Sequence, residues 1–268
     1  MGTGRRGGTR WEIGGTRWEI AAIVVLLVML WLLIEPTQRS TRGLPAPDYA
    51  QCMAKLKQLG FALHNYHDLS GSFPAAVSRH GPEEVEQSWR VFILPYVDES
   101  ELYDEYRLDQ RWDSPHNESL HDQLEGRFPV HRCGSNDFDG VPIARTNYLA
   151  VIGENTAWQT DRPVSLDEIT DRLDQTILLV EVANSDVNWF EPRDLRWDEM
   201  SFRINDPDSL SPSSRHVERY WIGDDRPYIN VLLADGSGRK LPADTPPDVL
   251  KALLTINGGE DVGDPWLP

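Results

Sequence analysis

Ile20–Ile34 is an unbroken apolar run of fifteen residues, preceded by Arg17-Trp18-Glu19 and closed by Glu35-Pro36. A helix with no polar face has no place on the outside of a water-soluble fold. Fifteen helical residues span about 22 Å, against roughly 30 Å for a bilayer core, so the flanks must help. Trp18 and Trp31 suit the two interfaces, and the long side chain of Arg17 can reach the headgroups. Eleven of the fifteen residues are Leu, Ile or Val. At about −0.3 to −0.6 kcal/mol each they favour insertion by roughly 3–7 kcal/mol, which exceeds the cost of a carboxylate near the interface. Arg5, Arg6, Arg10 and Arg17 precede the run, while Arg39 and Arg42 follow it closely. That bias predicts a single pass through the cytoplasmic (inner) membrane, with the N-terminus in the cytoplasm and the C-terminal part outside. A cleaved signal peptide is the rival reading, but no Ala-x-Ala site follows the run. The expected plan is a cytoplasmic segment (1–19), a transmembrane helix (20–34), a linker (35–47) and an extracytoplasmic domain (48–268).

The residues before the run add a further pattern. If the chain is cut between Gly14 and Gly15, Glu19 becomes the fifth residue and Pro36 the twenty-second. This resembles type IV prepilins and pseudopilins, in which the acidic fifth residue pairs with the amino terminus of a neighbouring subunit during assembly. The resemblance gives Gly14, Gly15, Glu19 and Pro36 processing and assembly roles. The chemistry is reasonable, because a carboxylate at a lipid-facing helix start needs a cation and a freed α-amine supplies one. Arg17 and Trp18 stand where pilins keep apolar residues, and Gly15 replaces the usual aromatic. The heptapeptide GGTRWEI occurs twice in tandem, over 7–13 and 14–20, and only the second copy leads into the run.

Beyond Pro36 the chain is polar and acidic. The whole chain carries 43 Asp and Glu against 26 Lys and Arg, a net charge of −17, and nearly all the excess acid lies after Pro36. Such a surface repels nucleic acid, so nucleic acid is excluded as a partner. There are two cysteines, Cys52 and Cys133. Outside the cytoplasm they can form one disulfide; two buried thiols are the alternative. No CxxC or Cys/His spacing of a zinc motif occurs.

Cys52, Leu56, Leu59, Leu63 and Tyr66 recur at helical spacing and predict a helix from Asp48 to about Asp68, stopped near Gly71. A short helix is expected over Glu99–Arg107 and another over Asp244–Leu254. Asn147–Ile152, Thr176–Val182 and Asn230–Ala234 read as strands, the last leading into an Asp235-Gly236 turn. The expected class is α+β: an N-terminal hydrophobic, pilin-like helix followed by a mostly antiparallel sheet.

In this order the segments CMAKLKQLGFALHNYHDLSGSFP (52–74), SWRVFILPYVDESELY (88–103), TNYLAVIG (146–153), NWFEPRDL (188–195) and NVLLADGSGR (230–239) resemble the prepilin-like domain-of-unknown-function 1559 family of bacteria. LKQLGFALHNYHD and the ADGS turn are the specific ones. The resemblance implies a pseudopilin-like first helix and a sheet-rich domain, and assigns no activity. Members usually have a His, nine residues, then Asp-Gly; here eighteen residues lie between His216 and Asp235.

Site chemistry is sparse. Asp206, Asp208, Asp224 and Asp225 are oxygen donors in loops, so calcium is the one cofactor to consider, with solvated loop acids the simpler reading. His216 and Asp235 form a second weak candidate pair for a metal or a hydrogen bond. His64 and His67 lack the zinc-protease spacing. No nucleophile elbow, phosphate loop or dinucleotide fingerprint is present, so no catalytic residue is assigned and no enzyme is expected. Trp89, Trp112, Trp158, Trp189, Trp197 and Trp221 could build a core or a carbohydrate-facing surface. The expected function is protein–protein assembly or self-assembly at the cell envelope. The alternative is an anchored carbohydrate- or peptide-binding module.

Overall fold

The computed structural model describes residues 48–267, apart from 122, 125–132, 134–143, 161, 184 and 219–223. The apolar run, Gly14, Gly15, Glu19 and Pro36 therefore lie outside the described residues, as does Trp221. All described residues belong to one compact unit, Ala46–Pro268. No helix among them is long and apolar enough to cross a membrane.

Helix α1 (Asp48–Ser70) forms because Cys52, Leu56, Leu59 and Leu63 fall on one face and are fully buried. It ends where Gly71 adopts φ +80° and donates its N–H to His67 O at 2.7 Å, a left-handed C-terminal stop. A hairpin follows, β1 (Val77–His80) and β2 (Val85–Ser88), joined by a turn in which Gly81 and Glu84 have positive φ. Short helices α2 (Trp89–Phe92), α3 (Ser100–Glu105) and α4 (Pro115–Glu118) lead towards the sheet.

That sheet has five antiparallel strands: β3 (Tyr148–Leu149), β5 (Ile177–Glu181), β7 (His216–Glu218), β8 (Arg226–Leu233) and β9 (Gly238–Pro242). Strand β8 is central. One of its edges is shared by β5, at Val231–Leu233, and β7, at Arg226–Tyr228; the other carries β9. A separate parallel pair joins β4 (Val151–Ile152) to β6 (Leu195–Arg196). Helix α5 (Pro247–Leu254) closes the domain. Mixed helix and antiparallel sheet make the class α+β.

Side chains alternate along β8, so it feeds two cores. Leu232 joins Leu56, Leu59 and Leu63 of α1 in one cluster; Ile229, Val231 and Leu233 join Leu250, Leu253 and Leu254 of α5 in the other. The approach of α1 to the sheet is close. A Cβ on Gly60 would stand 2.7 Å from Leu232 Cδ1 and 3.2 Å from Gly236 O, so the helix lies this near only with glycine there.

Trp89, Trp158 and Trp189 are buried in the first cluster, with ring centroids of Trp89 and Trp158 4.9 Å apart. The carbohydrate-facing reading is therefore wrong for these three: they are core. Beside them Arg90 and Asp194 form a buried ion pair in which Asp194 accepts from both Arg90 Nη atoms, from Trp89 Nε1 (3.0 Å) and from Ala150 N (2.8 Å). Burial pushes the Asp194 carboxyl up, while Arg90 and the two neutral donors pull it down. Four N–H groups aimed at two oxygens suit the carboxylate; a protonated oxygen would set O–H against N–H.

Candidate functional site

Sheet register gathers polar side chains on the face of the sheet that α1 covers. Tyr148 of β3 pairs with Glu181 of β5, and His216 of β7 pairs with Tyr228 of β8. Asn230, two residues along from Tyr228, shares its face. Above them Cys52, in the second turn of α1, is joined to Cys133 by a disulfide. The alternative of two free thiols does not apply.

The disulfide and the strand residues touch. Cys133 Sγ is 3.6 Å from His216 Nε2, which is 3.0 Å from Glu181 Oε1. Both Asn230 N–H groups, main chain and Nδ2, donate to Glu181 Oε2 at 3.1 Å. The His216 ring stacks on Tyr228, and Lys240 Nζ lies over the same Tyr228 ring, 5.3 Å from its centroid. Tyr148 Oη donates to Cys52 O at 3.0 Å, and Asn147 Oδ1 accepts from Cys133 N at 3.1 Å, so both half-cystines are tied to β3 and the residue before it. Cys52, Cys133 and Glu181 are fully buried and His216 is 4% exposed. Two sulfurs, an imidazole and a carboxylate thus meet in a dry space, with donor atoms all within 4.8 Å of one another.

The other candidates do not join this group. Among the described residues, Cys52, Cys133, Glu181 and His216 are the one set of three or more His, Cys, Asp or Glu residues close enough to share an ion. Asp206 accepts from Ser201 Oγ at 2.7 Å and from the Asp208 N–H at 3.1 Å. The Ser201 hydroxyl is the chief cause holding its carboxyl below the usual carboxylate range. Asp235 sits in the exposed β8–β9 turn and accepts from Ser237 N at 2.8 Å. His216 therefore has Glu181, not Asp235, as its carboxylate partner. His67 Nε2 accepts from Leu166 N at 3.0 Å, and His64 packs its edge on Phe73: both secure the end of α1 to the following loop.

Glu181 is the member that sequence reading missed. The available signal was a lone acid closing the run Ile177–Glu181, in which every residue is buried. An unpaired carboxylate there would be very costly, so a partner was implied.

On the surface, an open hollow of about 390 Å³ is lined by Gly153, Glu154, Asn155, Arg196, Trp197 and Asp198, among others. Trp197 is partly exposed there and packs on Phe202 at 4.6 Å.

The model of a protein family of unknown function, DUF1559, matches residues 49–221. The chain belongs to the DUF1559 family. The match covers α1, the short helices and the sheet as far as β7, so both half-cystines, Glu181 and His216 lie inside it. Comparison with curated proteins and with solved structures finds no match.

Proposed function

We propose that this DUF1559 protein is a non-enzymatic, membrane-anchored protein of the cell envelope, resembling pseudopilins, whose extracytoplasmic domain works by protein–protein assembly. One observation carries the reading. On the face of α1 turned away from the sheet, Phe61 is 70% exposed and Leu69 77% exposed. Ala54, Gln58 and Asn65 continue that face at three- and four-residue spacing, and all are exposed. Large apolar side chains left in water on a helix facing outward mark a surface for another protein. The occupant this predicts is a second pseudopilin-like subunit, laid along α1. Two features support the location: the apolar run Ile20–Ile34, and a disulfide of the kind that persists in oxidising compartments.

Photo-crosslinking from position 61 in the native host tests it. The expected result is an adduct with a membrane protein or a second copy, in the membrane fraction. The idea is lost if the intact chain fractionates with soluble cytoplasmic protein, or if position 61 gives no adduct. The hollow beside Trp197 favours a second reading, an anchored sugar-binding module, since an aromatic face flanked by Arg196, Asp198 and Asn155 matches a sugar ring. A glycan array with no bound sugar removes that reading.

A further inference from the structure

We infer that Cys52, Cys133, His216 and Glu181 form a redox-gated site for zinc or a similar soft divalent cation: closed while the disulfide stands, opened by its reduction. The inference does not depend on membrane attachment or on assembly.

The donor set is the first argument. Two thiolates, one imidazole and one carboxylate are zinc ligands, and four of them complete a tetrahedron. Geometry is the second. In a tetrahedral site with ordinary zinc bond lengths, sulfur and imidazole nitrogen stand about 3.5 Å apart, and nitrogen and carboxylate oxygen about 3.4 Å apart. Here Cys133 Sγ and His216 Nε2 are 3.6 Å apart, and His216 Nε2 and Glu181 Oε1 are 3.0 Å apart. These two spacings already match within a few tenths of an ångström. The third does not. Two zinc thiolates stand about 3.8 Å apart, and the covalent S–S bond forbids that. The bond is therefore the lock.

The surroundings are the third argument. Metal-bound carboxylates are held by outer hydrogen bonds. Glu181 has this support: its Oε2 takes both Asn230 donors, while Oε1 faces His216. The Asn230 amide oxygen is buried and has no hydrogen-bond partner among the described residues. The Tyr228 ring fixes the plane of the imidazole.

The chemistry balances as follows. A phosphine attacks the S–S bond; water supplies two protons and the oxygen, giving two thiols and a phosphine oxide. The cation then displaces the two thiol protons, which leave to solvent, and the proton lying between His216 Nε2 and Glu181 Oε1, which leaves to solvent or moves to His216 Nδ1, and four donors close on it. Oxidation by a disulfide-forming partner closes the site again: the two thiolates join as an S–S bond, their two electrons reduce the partner's disulfide to two thiols with two protons from solvent, and the cation is released. The Cys52 Cα and Cys133 Cα are 4.8 Å apart, so only local opening between α1 and Cys133 is needed.

The test uses the full chain in mild detergent, reduced with a phosphine, with Co²⁺ as probe. The expected result is one Co²⁺ per chain, with thiolate-to-cobalt absorption in the near ultraviolet and the visible bands of a tetrahedral ion. Zn²⁺ should displace it, and the oxidised protein should show neither band. His216→Ala and Glu181→Gln should each weaken binding on the order of tenfold or more. Near-ultraviolet circular dichroism follows the fold. If reduction loosens the domain, Zn²⁺ should restore the signal; failure to restore it counts against the site. Absence of the sulfur–cobalt band at saturating Co²⁺, or a band indifferent to His216→Ala, overturns the inference.

Discussion

Removing the Asp194 carboxylate should be the most damaging single change in the described fold. Arg90 and Asp194 side chains are 0% and 1% exposed. Asp194→Ala leaves a guanidinium in the core without a counter-charge, a loss of about 3–5 kcal/mol for a broken buried pair. It also strands the Trp89 indole N–H and the Ala150 N–H, at about 1–3 kcal/mol each where water cannot reach them. The terms overlap, so roughly 4–6 kcal/mol is the expected loss, a large part of the 5–15 kcal/mol typical of a whole domain. Urea titration of the full chain in detergent, read by the fluorescence of the buried tryptophans, measures it. The double variant Arg90→Met/Asp194→Leu separates the cost of the unpaired charge from the worth of the pair. Replacing both ions by apolar groups should recover most of the stability, because desolvation offsets much of the pair's attraction. A loss below about 1 kcal/mol for Asp194→Ala, or a double variant no better than the single one, would refute the reasoning.

Three other outcomes follow from the same contacts. Cys52→Ala/Cys133→Ala opens a loop of sequence separation 81, and chain entropy sets the loss against the oxidised protein at about 4–5 kcal/mol by denaturant titration. Gly60→Ala gains about 1 kcal/mol of helix propensity but drives a methyl against buried Leu232, an overpacking cost of about 1–3 kcal/mol, so the net effect on urea midpoint should be a decrease. Glu168 is held below the ordinary carboxylate range, first by the Ser165 N–H and then by Arg162; a depressed folded value gives stability that is present above the ordinary Glu value and lost as pH falls through the folded one, so Glu168→Gln should flatten the fall in stability on acidification below the ordinary Glu value of about 4.3.

How much of this was legible beforehand depended on sequence distance. Helix α1 was readable because Cys52, Leu56, Leu59 and Leu63 repeat at the helical period along one contiguous segment. Strand β5 and the second half of β8 announced themselves as short apolar runs; Arg226–Ile229, the start of β8, did not, and the single strand expected over Asn147–Ile152 is two, β3 and β4, in separate sheets. Strands β1 and β2 went unannounced, because Val77-Ser78-Arg79-His80 and Val85-Glu86-Gln87-Ser88 are mostly polar and pair with each other, and the residues they bury, Gln87 and Ser88, are polar too. The candidate site was the least legible part. Cys133 and His216 are 83 residues apart, and Arg90 and Asp194 104 apart; no local pattern records such meetings. The Asp206, Asp208 and Asp235 candidates were drawn from local turn chemistry, and the carboxylates of Asp206 and Asp235 do serve local turns.

The position of Cys52 links the two halves of the argument. A helix that offers Phe61 and Leu69 to a neighbour must hold still under load, and its own hydrogen bonds resist peeling from the N-terminal end only weakly. Cys52 lies in the second turn of α1, with its sulfur bonded to Cys133 and its carbonyl oxygen held by Tyr148 Oη. A pull on the N-terminal end of α1 therefore meets a covalent bond to Cys133 after four residues of the helix, and Cys133 is itself hydrogen-bonded to Asn147 beside β3, so the helix is held before it unwinds towards Phe61. Reduction removes that link and, by the same act, frees two thiols beside His216 and Glu181. The tie between α1 and Cys133 and the chemistry of the buried cluster are set by one bond, and a cation bound by all four donors would restore the tie that reduction breaks.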